Sequence, residues 1–402
     1  MRGRLLVRKN WLGGGTTAAV LLAGLAAPAN GMTYSVLYSF GGESRGDGAG
    51  PEGSLSYAGG RLYGTTQYGG SPGSQCATGC GTVFTVTPAG TEKVLHAFTG
   101  IYGGDGAGPV GGLKYFKGKL YGTTTANYGA APQGTVFSMT INGTETVLHA
   151  FGTGGDGSNP TAKLTIVDGT LYGTTEFGGN AGVCGGYHCG TVFSITRGGT
   201  ETVLHSFGGN GDGGNPLAGL KYVNGMLYGT TRYGGSAGYG SVFSITQSGT
   251  ETVLYSFKGG SDGADPTGDL SEVNGVLYGT TSEGGNYGSG TVYSITPDGT
   301  ENVLHSFGSG NDGRDPSAKL TVVNGTLFGT TQFGGLSGCS SSCGTIFSIT
   351  PSGTEKVLHD FGSGSNDGGW PYANLRDVNG TLYGTTLQGG SYGFGTVFSI
   401  TP

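Results

Sequence analysis

Leu277-Tyr278-Gly279-Thr280-Thr281 opens the stretch that decides the fold, and Gly284-Gly285 and Gly290-Thr291-Val292-Tyr293-Ser294-Ile295-Thr296 complete it. The chain contains seven copies of this stretch, and the others begin at Leu62, Leu120, Leu171, Leu227, Leu327 and Leu382. Self-similarity at a period of about 50 residues indicates a repeat architecture built from one supersecondary unit. The fold can therefore be predicted from a single unit and from the way the units join.

Each unit predicts four short β-strands. An Asp-Gly-x-x-Pro segment comes first, and a short strand such as residues 320–323 follows it. Asn324-Gly325 is typical of a two-residue hairpin turn, because both positions accept a positive φ. The Leu-Tyr-Gly-Thr-Thr strand comes next, then a glycine-rich loop, the Gly-Thr-Val-Phe-Ser-Ile-Thr strand and a fourth strand like residues 202–207. No segment has a helical period, so the chain is predicted to be all β.

The two ends of the chain favour a closed ring over an open solenoid. Residues 33–40 form a fourth strand without a unit of their own, and the last unit ends after its third strand. The first strand can therefore complete the last unit, whereas a solenoid needs atypical capping repeats. We predict a seven-bladed β-propeller of four-stranded antiparallel blades, with the N-terminal strand completing the last blade.

The first 29 residues are predicted to be a secretory signal peptide. Four basic residues precede a short apolar run at residues 18–27, and small residues follow it at 27–29. An uncleaved membrane anchor is the alternative, which the shortness of the apolar run disfavours. We therefore expect residues 30–402 to be the propeller, located outside the cell or at its surface, with no membrane span once the signal is removed.

Composition and charge exclude some classes of function, but they do not indicate a particular one. Glycine and proline, 91 and 14 of 402 residues, recur at fixed places, so the bias reflects turns and not disorder. The formal net charge is −6, and no basic stripe of the kind that binds nucleic acid is present. We expect a monomer that uses no cofactor and whose partner is an extracellular glycan or a protein.

The repeats resemble a bacterial family, the Gloeo-Verruco or GloVer repeat, found in tandem in secreted proteins. The resemblance rests on the Leu-Tyr-Gly-Thr-Thr-x-x-Gly-Gly, Gly-Thr-Val-Phe-Ser-Ile-Thr and Gly-Thr-Glu-x-Val-Leu-His-Ser-Phe strings and extends over residues 33–402. It implies a location outside the cytoplasm, and many members of the family carry a C-terminal sorting or anchoring tail. It brings no catalytic residues to this chain.

Six cysteines form three close pairs, each in a long loop between second and third strands: Cys76 and Cys80, Cys184 and Cys189, Cys339 and Cys343. An even count in an exported chain favours three local disulfides. A metal site is the alternative for one pair, because His188 lies between Cys184 and Cys189. That set lacks a fourth ligand, so we expect no metal there.

Polar residues that occur in every unit are expected to have structural roles. The aspartates of Asp-Gly-x-x-Pro predict turn hydrogen bonds, and calcium is the less favoured alternative because calcium needs a tight cluster of oxygens. The fourth-strand histidines share their position with Tyr38 and Tyr255, which indicates packing and not proton transfer. The glutamates that begin the fourth strands are expected to be solvated hairpin ends.

Residues that break the sevenfold pattern are the candidate ligand-binding residues. These are Trp370, Tyr68, Glu176, Phe177, Arg232, Tyr233, Glu283 and Phe333. Aromatic side chains with a few polar neighbours suit glycan or peptide recognition. We therefore expect a secreted, non-catalytic binding or scaffold module. The alternative is an extracellular polysaccharide hydrolase or lyase, in which Glu176 and Glu283 would be the carboxylates. The sequence leaves catalysis open.

Overall fold

The structure is a computed structural model that describes residues 31–70, 76–100, 103–125, 133–153, 155–179, 189–208, 211–335 and 343–402. The predicted signal peptide lies outside the described residues. The described chain forms seven four-stranded antiparallel sheets, which we call blades 1 to 7. The predicted fold class, an all-β seven-bladed propeller, is confirmed. No helix in this part of the chain is long and apolar enough to cross a membrane.

The strands of each blade are numbered 1 to 4 from the centre outward. Blade 1 contains Ser56–Ala58, Arg61–Thr66, Thr82–Val86 and Glu92–Ala97; blade 2 contains Lys114–Phe116, Lys119–Thr124, Thr135–Thr140 and Glu145–Ala150. Blade 3 contains Thr165–Val167, Thr170–Thr175, Thr191–Ile195 and Glu201–Ser206; blade 4 contains Lys221–Val223, Met226–Thr231, Ser241–Thr246 and Glu251–Ser256. Blade 5 contains Ser271–Val273, Val276–Thr281, Thr291–Ile295 and Glu301–Ser306; blade 6 contains Thr321–Val323, Thr326–Thr331, Thr345–Ile349 and Glu355–Asp360. Blade 7 contains Arg376–Val378, Thr381–Thr386, Thr396–Thr401 and, as its outermost strand, Thr33–Ser39.

In the described parts of the connections, four two-residue strands and two 3-10 turns are present. The short strands form two pairs, Gly48–Ala49 with Tyr68–Gly69 and Gly368–Gly369 with Gln388–Gly389. The 3-10 turns are Gly42–Arg45 and Gly260–Asp262. First strands of neighbouring blades contact each other, including those of blades 7 and 1. The ring is therefore continuous around a central channel.

The outermost strand of blade 7 comes from the other end of the chain. Thr33 lies opposite Thr401 and Ser39 lies opposite Thr396, with a register shift between Val36 and Tyr38. Strands 3 and 4 of the other blades show a shift at the corresponding place, for example between Val83 and Phe84 in blade 1. Residues 33–39 thus occupy the place of a fourth strand.

Aromatic side chains pack between neighbouring blades. The phenylalanine after each fourth strand lies edge-on against the aromatic residue of the next blade's third strand, with 5.0 Å between the ring centroids of Phe40 and Phe84. Within a blade, Gly173 passes under Phe193, whose Cζ would lie 2.5 Å from a Cβ at residue 173. The glycine of the Leu-Tyr-Gly-Thr-Thr strand is therefore required by the ring above it.

The repeated aspartates and histidines hold the connections between blades. His96 Nε2 lies 3.0 Å from Asp105 Oδ2, and Thr99 N donates to Asp105 Oδ1 at 3.0 Å. Burial opposes ionisation of Asp105, but the hydrogen bonds from His96 and Thr99 outweigh it and hold the pKa of this carboxyl below its usual value. In two blades a tyrosine replaces the histidine, as where Tyr255 donates to Asp262 at 2.6 Å.

The repeated glutamates differ from the sequence-based expectation, because they are not solvated hairpin ends. They are half-buried, and Oε1 of each is shielded without a hydrogen-bond partner in the part of the chain described here. Each lies near the aspartate of the preceding connection, so the charges of His96 and Asp105 both act on the pKa of Glu145. Burial is the largest effect and raises the pKa of Glu145 to about 7.

Candidate functional site

A cavity of about 840 Å³ opens at the centre of the ring, on the face where the Asp-Gly-x-x-Pro connections lie. All seven blades contribute to it the residue that follows the proline, and we call these seven residues the mouth ring. They are Glu52, Val110, Thr161, Leu217, Thr267, Ser317 and Tyr372. A cavity of this size suits a small ligand or one end of a larger one.

Two further rings follow along the chain, because alternate residues of an extended segment face the same side. The middle ring lies two residues after the mouth ring and consists of Ser54, Gly112, Lys163, Gly219, Asp269, Lys319 and Asn374. The deep ring lies two residues further, at the start of each first strand, and consists of Ser56, Lys114, Thr165, Lys221, Ser271, Thr321 and Arg376. The residues between the rings are buried, as Ala162 and Leu164 are, although the small Ala162 also touches the edge of the cavity.

Sequence analysis missed these three rings. They lie directly after the Asp-Gly-x-x-Pro segments, inside the most regular part of the repeat, where the constant residues dominate the pattern. The signal was nevertheless present, because the residue types at these positions differ from copy to copy while the proline before the mouth ring and the leucine before the deep ring are the same in all seven copies. Comparing the seven copies position by position would have found them.

The residue before each proline has a left-handed backbone in all seven copies, with φ between 56° and 62°. Glycine, asparagine and aspartate adopt this conformation readily, and they occupy six of the positions. In blade 7 the residue is Trp370, with φ 57°. Its ring packs edge-on against Phe333 at 5.6 Å, and its indole N–H is buried without a hydrogen-bond partner in the described structure.

Three carboxyl groups line the cavity: Asp269, which belongs to the middle ring, and the pair Glu52 and Glu176. One oxygen of Glu52, Oε2, is buried and has no hydrogen-bond partner among the described residues. Burial raises the pKa of Glu52 to about 7, so its carboxyl group can hold a proton near neutral pH. Glu176 is held by two side-chain amides: Asn159 Nδ2 donates to Oε2, and Asn215 Nδ2 donates to Oε1 at 3.4 Å.

Tyr372 lies close to Glu52 and Glu176. Burial raises the pKa of its hydroxyl, and the charges of Glu52 and Glu176 raise it further. Arg232 faces the same region and lowers it, while forming an ion pair with Asp265 at 3.2 Å. The cavity lining therefore combines a protonatable carboxyl, a fixed carboxylate, a phenol and a guanidinium within electrostatic reach of the Tyr372 hydroxyl.

Below the mouth the channel is basic. Lys163 extends from blade 3 and donates from Nζ to Ser54 Oγ of the blade 1 segment at 3.3 Å. Desolvation lowers the pKa of Lys163 to about 7, and the charges of Lys114, Arg376 and Lys319 lower it further. Desolvation and neighbouring cations also hold the pKa of Lys114 below its usual value.

The candidate residues from the sequence divide into two groups. Tyr68, Glu176, Phe177 and Arg232 line the cavity, as the loop-rich face predicted. Tyr233, Glu283, Phe333 and Trp370 do not line it. Tyr233 lies under the Arg232 guanidinium at 4.8 Å, and Glu283 is exposed. Glu176 and Glu283 are thus not the two carboxylates of one cavity, and Glu52 is the acidic residue that the sequence analysis overlooked.

A search with protein-family models decides what kind of repeat this is. The model described as the Gloeobacter/Verrucomicrobia repeat matches residues 13–187, 126–341 and 239–402. The chain belongs to the Gloeobacter/Verrucomicrobia repeat family. The resemblance inferred from the repeated strands is therefore confirmed. No curated protein matches the chain.

Among solved structures, this Gloeobacter/Verrucomicrobia repeat protein matches a gluconolactonase from Xanthomonas campestris, described as important in glucose secondary metabolic pathways. The identity is 13%, the match covers 94% of this chain and 92% of that one, and the TM-score is 0.46. The matched protein is an enzyme, unlike the non-catalytic binding module that the sequence analysis expected. At so low an identity and TM-score, neither the activity nor any residue role is transferred from that protein.

The cysteine pairs of this Gloeobacter/Verrucomicrobia repeat protein are described only in part. Cys76 and Cys80 form a disulfide in the loop of blade 1 and line the cavity, with 5.2 Å between their Cα atoms. Cys184, His188 and Cys339 lie outside the described residues, so the other two pairs stay predictions. Within the described ranges, no three His, Cys, Asp or Glu side chains form a cluster that could hold a metal.

Proposed function

We propose that this protein is an exported hydrolase of extracellular saccharides, with its active site at the mouth of the central channel. The observation that carries the proposal is Glu52, a carboxyl in the mouth ring with one buried, unpartnered oxygen and a pKa raised to about 7. A general acid works best when its pKa lies near the working pH. Buried carboxyls of this kind are typical of catalytic sites, although structural networks can also shift a pKa.

Glycosidic hydrolysis requires two carboxyl groups in different protonation states. Glu52 would donate its proton to the glycosidic oxygen as the bond between that oxygen and the anomeric carbon breaks. Glu176, oriented by Asn159 and Asn215, would act on the other side of the sugar. It would either take a proton from the attacking water or form the bond to the anomeric carbon itself. In the second case water completes the reaction, and the configuration of the product distinguishes the two.

The proposal is tested with the purified chain, signal removed, on a panel of neutral and acidic polysaccharides. Release of new reducing ends measures hydrolysis. We expect Glu52→Gln to lower the rate by about 10²–10⁴-fold, the usual contribution of general acid–base catalysis. Glu43→Gln is the matched control, because Glu43 is exposed and does not line the cavity. Circular dichroism of both variants should match that of the parent chain.

The pH dependence gives a second readout. A general acid must be protonated, so activity that depends on Glu52 should be present below pH 7 and fall as the pH rises through about 7. An unchanged rate in Glu52→Gln, or no product from any polymer tested, would contradict the proposal. Products that carry a new ultraviolet-absorbing double bond would indicate elimination by a lyase and would also contradict hydrolysis.

A further inference from the structure

Positive charge is concentrated in the channel of a protein that is acidic overall. The middle and deep rings contain five of its nineteen lysines and arginines: Lys114, Lys163, Lys221, Lys319 and Arg376. They come from five different blades, yet they lie close enough for their charges to act on one another. Each of these five blades supplies one cation, and closing the ring brings the cations together.

These cations are only partly compensated. The carboxylates whose charges act on Lys114, Lys163 and Lys221 are Asp269 and Glu272. Asp269 is itself engaged, because Gly219 N donates to its Oδ1 at 2.6 Å. Confining like charges in one channel is unfavourable unless an opposite charge joins them. Serine or threonine fits a deep-ring position, and four of the blades have one of these residues there.

The four hydroxyl residues of the deep ring show what a purely structural residue does at this position. Thr321 Oγ1 donates to Leu375 O of the next blade at 2.6 Å, and Ser56, Thr165 and Ser271 make the equivalent bond. Lys114, Lys221 and Arg376 replace this bond between blades with a charge that faces the channel. A requirement other than holding the blades together therefore selects the cations.

We propose that the middle of the channel binds the carboxylate of an acidic saccharide, and that Lys163 is the residue that contacts it. Lys163 lines the cavity directly below the mouth ring, whereas Lys114, Lys319 and Arg376 supply the surrounding positive potential. An uronic acid residue entering the cavity would direct its carboxylate to the lysine and leave its glycosidic bond near Glu52. This inference rests on the proposed function for the fate of the saccharide, but the anion site stands without it.

Binding is tested with the purified chain by titration calorimetry, using glucuronate as the probe and glucose as its neutral match. We expect glucuronate to bind and glucose to bind at least about 10-fold more weakly, because glucose lacks the charge and a hydrogen bond between charged groups is stronger than one between neutral groups. Lys163→Met should lower glucuronate affinity by about 10–100-fold on the same grounds. Lys356→Met is the control, because Lys356 is exposed on the outer strand of blade 6.

The pH dependence must follow the lysine. Lys163 has to be protonated to attract an anion, so glucuronate affinity should fall as the pH rises through about 7 and level off when the lysine is neutral. The groups that face Lys163 are Lys114, Lys319, Arg376, Asp269 and Ser54. Lys163→Arg should remove this step, because arginine stays charged throughout the range.

Three results would overturn the inference. Equal affinity for glucuronate and glucose, or unchanged glucuronate binding in Lys163→Met with an intact fold, would remove the anion site. Acetate or sulfate binding as tightly as glucuronate would remove the saccharide part. The two proposals fail separately: glucuronate binding without cleavage of any polymer refutes the hydrolase and keeps the anion site. Cleavage of neutral polymers alone, with no glucuronate binding, refutes the anion site and keeps the hydrolase.

Discussion

The outer blade interfaces and the central channel are built from the same seven repeats, yet they differ in every respect that matters for function. At the interfaces, corresponding positions hold nearly the same residue, and these residues bond to one another, as His96 and Asp105 do. In the channel, corresponding positions hold lysine, aspartate, glycine, serine or asparagine, as the middle ring shows. A repeated residue meets the same neighbour seven times, so repetition indicates a structural role. Where the residue type differs between copies while the backbone conformation stays the same, the side chain is not required for the fold.

Ring closure tests the interface side of this comparison and should give the largest effect. A chain that begins at Gly41 lacks the outer strand of blade 7, leaves Thr396–Thr401 as an open edge and removes Phe40 from Phe84. Losing one buried phenylalanine alone costs about 3–5 kcal/mol. We expect the shortened chain to aggregate or to melt far below the full propeller, measured by light scattering and thermal unfolding.

The matched control for this truncation is a chain that begins at Gly31, which keeps the strand and removes only residues 1–30. It should unfold as the full propeller does. A chain beginning at Gly41 that stays monomeric with an unchanged melting temperature would show that the pairing of the N-terminal strand with blade 7 does not stabilise the fold.

The repeated glutamates should give the next largest effect, because six sites act together. Burial raises the pKa of Glu251 from 4.5 to about 7 in the folded chain, so the folded state binds more protons than the unfolded state between these values. The free energy of unfolding must then fall as the pH rises from about 4.5 to 7. The depressed pKa values of Asp105 and Asp367 act in the opposite sense, and their contribution is lost as the pH falls through those values.

We therefore expect the melting temperature to be higher at pH 5 than at pH 8. Glu251→Gln imitates the protonated form and should raise the melting temperature at pH 8 while changing it little at pH 5. Glu43→Gln, at an exposed position, should do neither. A melting temperature that rises steadily from pH 5 to pH 8 would refute this account of the glutamates.

The sequence predicted the fold almost completely because the signals of the fold are local and are repeated. Turn dipeptides such as Asn324-Gly325 and the β-branched third strands each occur several times, so one ambiguous copy is corrected by the others. The site was predicted only in part. Glu176 and Arg232 stand out because their loops vary. Glu52 acquires its raised pKa from burial, and Lys163 acquires its lowered pKa from burial and from charged residues on other blades. Those properties arise only when the ring closes.

Tyr293 is an exception on the interface side, and it allows a smaller test. The other six blades have phenylalanine here, whereas the hydroxyl of Tyr293 is fully buried with no hydrogen-bond partner among the described residues. An unsatisfied buried hydroxyl costs about 1–3 kcal/mol. Tyr293→Phe should therefore stabilise the chain by about that amount in denaturant unfolding. Phe243→Tyr, the reverse change in blade 4, should destabilise it, and equal stability of all three chains would contradict the argument.

Trp370 gives the smallest and most specific test, because it breaks the pattern at a position whose backbone is constant. Its φ of 57° is unfavourable for any residue with a large side chain, and asparagine occupies the same position in blades 3 and 4. Both Trp370→Ala and Trp370→Asn lose the contact with Phe333, but only asparagine tolerates the left-handed backbone well. The asparagine variant should therefore be more stable than the alanine variant by about 1 kcal/mol, the usual scale of left-handed strain. The same pair of substitutions at Phe333, which does not have a positive φ, should show no advantage for asparagine. Equal stability of the Trp370→Asn and Trp370→Ala variants would contradict this argument. It would show that the positive φ shared by the seven copies does not limit which residue is tolerated at position 370.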